Sequence, residues 1–275
     1  MSVYYKLVGE NINRYNTYPR IVGEAGGKNY HLAHESADGD SLVNGTVRSA
    51  FEYSGQKCSA CSRLYVPRPL WENEVRDKLI ERTQSLALSS PEDFTTFLTA
   101  VIDEKAFDRI KSYIDLAKQS PDTEILTGGG CDKTKGYFVE PTIILTTNPN
   151  HKLMREEIFG PVLTVFVYEP QYWEGVLTLV DESTTYSLTG SLFARDTGVI
   201  ANATEKLRNS AGNYYINDKS TGSVVGQQPF GGTRSSGTND KSGSIAYLLK
   251  WTSWMSIKEN FIPLDKYNYP YMSEK

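Results

Sequence analysis

The sequence predicts an α/β protein, a mostly parallel sheet flanked by helices. Three observations predict it. Short β-branched, apolar runs alternate along the chain with segments whose apolar residues recur at helical spacing, and turn residues separate the two kinds. Strands joined through helices pair in parallel and are covered on both faces. No internal repeat or low-complexity linker interrupts the 275 residues, which suffice for one large domain or two small ones.

The elements follow in order. Tyr5, Val8 and Ile12 fall on one helical face, and Asn16-Thr17-Tyr18-Pro19 ends that run. Residues 20–22 read as a short strand. Glu24-Ala25-Gly26-Gly27-Lys28-Asn29 comes next, with glycines where a backbone turns tightly or approaches a ligand, though alone it reads better as an ordinary turn. Residues 36–40 supply capping side chains for a helix with Leu42, Val43, Val47, Ala50 and Phe51 on its apolar face. That helix is expected to run to Gly55, with a strand over 63–66 beyond it. Pro67 and Pro69 punctuate, and 70–86 reads as an amphipathic helix. Asp103 caps the next helix, Ile102 is expected to staple against Phe107, and Phe107, Ile110, Ile114 and Ala117 make its stripe. Strands over 123–127 and 137–145 flank Gly128-Gly129-Gly130. Then come a strand (162–167), a helix (172–180), a strand (188–194), a helix (200–207) and a strand (214–216). Residues 231–243 are a Gly-, Ser- and Thr-rich loop, and 251–257 read as a closing strand that would need a sheet in another subunit or domain.

Composition narrows the function. A net charge of −4 argues against a nucleic-acid partner. No apolar run reaches bilayer length, so no membrane span is expected, and the first residues match neither a signal nor a transit peptide. Three cysteines, an odd number, fit a reducing compartment.

One cysteine sits in a patterned setting. In Phe51-Glu52-Tyr53-Ser54-Gly55-Gln56-Lys57-Cys58-Ser59-Ala60-Cys61, a helix end and a turn would leave Cys58 at an element edge. A thiol attacks an electrophilic carbon as thiolate, so a site around Cys58 must lower its pKa or supply a base. Two other readings stand beside a nucleophile: Cys58 and Cys61 as a redox Cys-x-x-Cys pair, or as half of a zinc site. Zinc lacks a second paired motif among Cys131, His31, His34 and His151, so no metal is expected. The redox pair normally opens a helix, whereas here a helical run precedes it and a strand follows. Lys57 is a solvated lysine, and Cys61 and Cys131 are packing residues on this reading.

Gly55-Gln56-Lys57-Cys58 resembles the nucleophile motif of the aldehyde dehydrogenase superfamily. Gly23-Glu24-Ala25-Gly26-Gly27-Lys28-Asn29 resembles that family's glutamate motif, with Glu24 at a spacing from Cys58 that the family uses. Glu156-Glu157-Ile158-Phe159-Gly160-Pro161-Val162 and Pro229-Phe230-Gly231-Gly232 complete the set in the family's order. Residues 51–62 and 216–230 look most like the branch that acts on glutamate semialdehyde.

The resemblance implies an aldehyde-dehydrogenase-like catalytic domain with a C-terminal oligomerisation strand. It implies NAD-dependent oxidation of L-glutamate γ-semialdehyde to L-glutamate in proline catabolism. Cys58 would form a thiohemiacetal and then a thioester, with Glu24 activating the water that hydrolyses it. Glu157 and Phe159 would contact the nicotinamide end of NAD. Ser59, Gly222, Ser223 and Phe230 would bind the substrate, the hydroxyls and N–H groups of 220–223 suiting its carboxylate. A homo-oligomer, a dimer through the C-terminal strand, and a mitochondrial matrix location follow by resemblance. The expected division is a remnant of the dinucleotide-binding domain over 1–23, a catalytic domain over 24–237 and an oligomerisation tail over 238–275. No glycine-rich dinucleotide fingerprint precedes Glu24, so the chain is read as shortened at its front. Two alternatives stay open on that account: a dehydrogenase-inactive, partner-binding chain, or an NAD-independent thiol esterase.

Overall fold

The computed structural model describes residues 1–273. After helix α1 (Ser2–Glu10) the chain runs β1 (Asn29–Ala33), α2 (Gly39–Phe51), β2 (Cys61–Pro67), α3 (Arg76–Gln84) and α4 (Glu104–Gln119). It continues through β3 (Thr123–Thr127), β4 (Thr142–Thr146), β5 (Val162–Tyr168), α5 (Trp173–Glu182), β6 (Thr189–Phe193), α6 (Thr197–Lys206) and β7 (Asn213–Ile216). The strands form one seven-stranded sheet in the order β7-β6-β1-β2-β5-β4-β3. Every pair is parallel except β3 with β4, so the α/β expectation holds.

Local chemistry sets the helices. Asp38 accepts the Ser41 N–H at 2.8 Å to start α2, and Asp103 accepts that of Ala106 at 2.7 Å to start α4. The apolar stripe of α2 packs on Leu64, Val66, Val165 and Phe193 from one face of the sheet. Tyr30, Leu32, Tyr65 and Leu192 project from the other face onto Val176 and Leu177 of α5 and Ala203 of α6. Phe107, Ile110 and Ile114 of α4 close a third cluster with Ile144 and Val162. Each such side chain taken wholly from water contributes about 1.5–3 kcal/mol.

Five local expectations are corrected. Residues 20–22 form no strand; the nearest pairing is a single bridge of Glu24 with Gly237. Ile102 is 77% exposed and staples nothing; its N–H donates to Gln56 Oε1 at 2.9 Å. The helix expected over 70–86 passes through a π turn at Trp71–Val75 before α3. Residues 137–145 are two pieces, Phe138–Val139 paired with Cys131–Asp132, and β4 in the main sheet, because Pro141 has no N–H to continue a ladder. Residues 251–257 pair with no strand among the described residues, and Trp251, Trp254 and Ile257 are exposed there. The tail expected over 238–275 is described as far as residue 273; its last two residues lie outside the described part.

Four parallel neighbours, β6, β1, β2 and β5, have consequences for the site. Parallel strands place the segments that lead into them at one edge of the sheet. Residues 24–28, 53–60, 157–161 and 187–188 therefore meet at the amino-terminal edge.

Candidate active site

The turn carrying Cys58 is built from unusual backbone. After α2, Tyr53, Ser54 and Gly55 all lie in the left-handed region, at φ 57°, 55° and 66°. Each non-glycine there costs about 1–2 kcal/mol, so neighbours must hold the bend. Ser54 Oγ donates to the Thr99 carbonyl at 2.7 Å, and Gln56 Oε1 takes the Ile102 N–H. A Cβ on Gly55 would lie 2.2 Å from the Gly160 carbonyl oxygen, so glycine is required twice over, for φ and for space. On the far side of the turn, Asn29 Nδ2 donates to the carbonyls of Cys58 at 2.7 Å and Ala60 at 2.9 Å, while Oδ1 accepts the Thr189 N–H at 3.0 Å. One buried amide thus ties the Cys58 turn to β1 and β6.

Glu24 comes to this turn from the lead into β1. Its segment is pinned by Ala25 N–H donating to Ser236 O at 2.8 Å, and Gly27 passes so close that a Cβ would lie 2.5 Å from Cys58 O. Cys58 Sγ is 3.8 Å from Glu24 Oε1, with Glu24 exposed and Cys58 half-buried. Burial first, then the carboxylates of Glu24 and Glu157, pushes the thiol up to about 11. The Lys57 ammonium faces Glu52 at 2.8 Å. Cys61 is buried with its thiol toward the Arg63 carbonyl, and Cys58, Cys61 and Cys131 are all free. Among the described residues no three His, Cys, Asp or Glu side chains converge as metal ligands.

Glu157 and Phe159 lead into β5. Glu157 Oε1 accepts the Gly27 N–H at 2.8 Å, and a Cβ on Gly26 would lie 2.3 Å from its Oε2. The absent side chain at Gly26 is what lets this carboxylate reach the glutamate motif. Burial raises the pKa of Glu157 against the lowering effect of that hydrogen bond. Phe159 takes φ 58° and keeps its ring 37% exposed.

The candidate substrate residues are brought together unevenly. Ser59 is buried next to Cys58, and its carbonyl accepts from Ser220 Oγ at 3.2 Å and Thr189 Oγ1 at 3.3 Å. That contact draws the loop after β7 back to the Cys58 turn. Gly222, at φ 76° and exposed, and half-buried Ser223 follow the buried pair Ser220 and Thr221. Phe230 is held through its backbone to Ser242, and Asn213 braces it from both sides through Pro229 O and Gly231 N. Among the described residues no hydrogen bond links Phe230 to Cys58 directly.

The sequence assigns no supporting role to Asn29, His31, Lys28 or Arg63, although Lys28 and Asn29 close the glutamate motif and His31 is weighed there only as a metal ligand. Asn29 and His31 are polar residues two apart in a wholly buried strand, a signal that was present in the pattern. Lys28 and Arg63 are 2% exposed, and Lys28 Nζ and Arg63 Nε have no hydrogen-bond partner. Nothing in the spacing of either marks it as buried.

A parallel sheet whose amino-terminal edge joins a cysteine to a glutamate across two motifs is matched by the aldehyde dehydrogenase family model over residues 5–257, and the chain belongs to that family. It is 56% identical over 270 residues to the mitochondrial delta-1-pyrroline-5-carboxylate dehydrogenase of Danio rerio, covering 98% of this chain and 48% of that protein. Against the Homo sapiens protein of the same name the identity is 55% over 269 residues, with the same shares. The crystal structure of the Mycobacterium tuberculosis delta-pyrroline-5-carboxylate dehydrogenase matches with TM-score 0.91 and 42% identity over 100% of this chain and 50% of that one. The same protein bound with NAD also gives 0.91, over 99% and 49%. The chain spans about half the length of the curated relatives it matches.

Proposed function

We propose that this chain supplies the nucleophile and substrate-anchoring part of an NAD-dependent dehydrogenase that oxidises L-glutamate γ-semialdehyde to L-glutamate in proline catabolism. The observation that carries the reading is the 3.8 Å approach of Glu24 to Cys58 in a chain so similar to delta-1-pyrroline-5-carboxylate dehydrogenases.

Cys58 loses its proton to solvent on the open side where Glu24 stands, and its sulfur bonds to the aldehyde carbon. The Cys58 N–H faces the developing oxyanion as one donor. Glu157 and Phe159 would hold the nicotinamide end of NAD; the close fit of Glu157 over Gly26 keeps that carboxylate at the site. NAD, when bound, supplies the hydride acceptor. The thioester left on Cys58 is cleaved by a water whose proton Glu24 accepts, releasing glutamate and the thiol. Ser59, Gly222 and Ser223 take the substrate's amino-acid end, and Phe230 flanks its aliphatic chain.

The same reading divides the chain into 1–23, a remnant of the dinucleotide-binding domain, 24–237, catalytic, and 238–275, an oligomerisation tail. The exposed Trp251, Trp254, Ile257 and Phe261 support a tail that meets a second copy. Mitochondrial names among the relatives support a matrix location. No described helix is long and apolar enough to cross a membrane.

The test is NADH formation from pyrroline-5-carboxylate, with intact-mass detection of a glutamyl thioester trapped on Cys58 in the Glu24→Gln variant. Absence of NADH, or an adduct on Cys61 or Cys131 in place of Cys58, rejects the proposal.

A further inference from the structure

His31 is a buried titratable group with no part in the chemistry above. It is 0% exposed, in the middle of β1, and burial pushes its pKa down to about 3. The imidazole is therefore neutral wherever the protein is folded under ordinary conditions, with one donor and one acceptor nitrogen. The neighbours fix which is which. Ser220 N–H donates to Nε2 at 3.3 Å, so Nε2 is the acceptor, and Nδ1 donates to Thr46 Oγ1 at 2.9 Å.

From Ser220 the bonds run on to the nucleophile's side. Cys61 N–H donates to Ser49 Oγ at 3.2 Å, the Ser49 and Ser220 hydroxyls are 2.9 Å apart, and Ser220 Oγ donates to Ser59 O. Thr46, Ser49 and Ser220 are each 0% exposed, so these bonds are shielded from water and costly to break. Ser220 directly precedes Thr221, Gly222 and Ser223. Cys58 itself is held by a separate clamp, Asn29, on the same face of the same strand.

We propose that His31 is a positioning residue that fixes loop 220–223 against α2. It thereby sets affinity for the amino-acid end of the substrate while leaving the reactivity of the thiol to Asn29. This rests on the reading of 222–223 as a substrate anchor.

The test needs no cofactor. Iodoacetamide alkylation of Cys58 is followed in the presence of L-glutamate, the proposed product, and the half-protecting concentration is measured. An asparagine amide overlays the Nδ1 position of histidine and a glutamine amide the Nε2 position. His31→Asn is expected to keep the Thr46 bond, lose the Ser220 bond and raise the half-protecting concentration about tenfold, the usual cost of one buried hydrogen bond. His31→Gln, which restores the Ser220 bond without the Thr46 bond, recovers part of that loss, and Thr46→Val, nearly the same shape, shifts protection in the same direction as His31→Asn but by less. The alkylation rate without glutamate stays at the wild-type value in all three. Wild-type protection in His31→Asn, no recovery in His31→Gln, or an equal change in the unprotected rate overturns the proposal. Failure of glutamate to protect the wild-type chain overturns the anchor reading itself, and is distinguishable because it appears before any substitution.

Discussion

Glu24 and Cys58 stand 34 positions apart in the chain and bring Oε1 and Sγ to 3.8 Å. They meet because each leads into one of two adjacent parallel strands. The carboxylate and the thiol then act on each other, which makes the pair open to test.

Thiol alkylation should rise with pH toward a midpoint near 11, since the group reacts as thiolate and burial, Glu24 and Glu157 all favour the thiol. Glu24→Gln removes the largest contribution after burial, so its midpoint falls and its rate at pH 8 rises, by about threefold for a half-unit change. The same variant should lose thioester hydrolysis. A slower alkylation in Glu24→Gln would assign the thiol's proton to Glu24 instead.

Asn29→Ala removes three hydrogen bonds from a buried amide and leaves two carbonyls and an N–H unpaired. Denaturant unfolding should show a loss of about 2–4 kcal/mol. The Cys58 turn should loosen as well, seen as faster hydrogen exchange through 56–60 than in wild type. A loss of stability with unchanged exchange there would mean that the turn holds itself.

Gly55→Ala meets both the left-handed φ and the Gly160 carbonyl. The expected cost is about 2–4 kcal/mol in chemical denaturation, with thiol reactivity changed because Cys58 is displaced. Gly9→Ala, where a Cβ meets nothing within 4 Å inside α1, serves as the control and should be neutral or stabilising.

Lys28 is buried without a hydrogen-bond partner, and burial followed by repulsion from Arg63 lowers its pKa to about 7. Between pH 7 and 10.5 the unfolded chain holds this proton and the folded chain does not, so the contribution of Lys28 to stability grows as pH rises through that window. Lys28→Met should therefore be more stable than wild type at pH 7, with a gap that narrows toward pH 10. A gap that widens with pH would show that Lys28 is charged and paired in the folded chain.

Much of this was legible in the sequence, and the failures have physical reasons. The α4 stripe was legible because Phe107, Ile110, Ile114 and Ala117 need only one face buried, and Asp103 marks its start. Four motifs around Cys58 and Glu24 pointed to a candidate site, and the sheet joins three of them in space, those of Glu24, Cys58 and Glu157. The clamps left a trace, polar Asn29 and His31 two apart in a strand covered on both faces, but the partners they hold lie far along the chain, so their roles were not legible. Residues 20–22 have strand-forming side chains but no neighbour to pair with, and strand propensity without a partner yields no strand. Ile102 had the right place for a staple, yet its backbone is engaged by Gln56, which turns the side chain out.

The bend at 53–55 has a consequence for the order of assembly. Its braces come from Thr99 and Ile102, and the amide that closes it from below needs Thr189. All of these are synthesised after Cys58. A ribosome that has delivered only the first third of the chain therefore carries an unshaped cysteine, and the turn takes its form only once the downstream strands have emerged and docked.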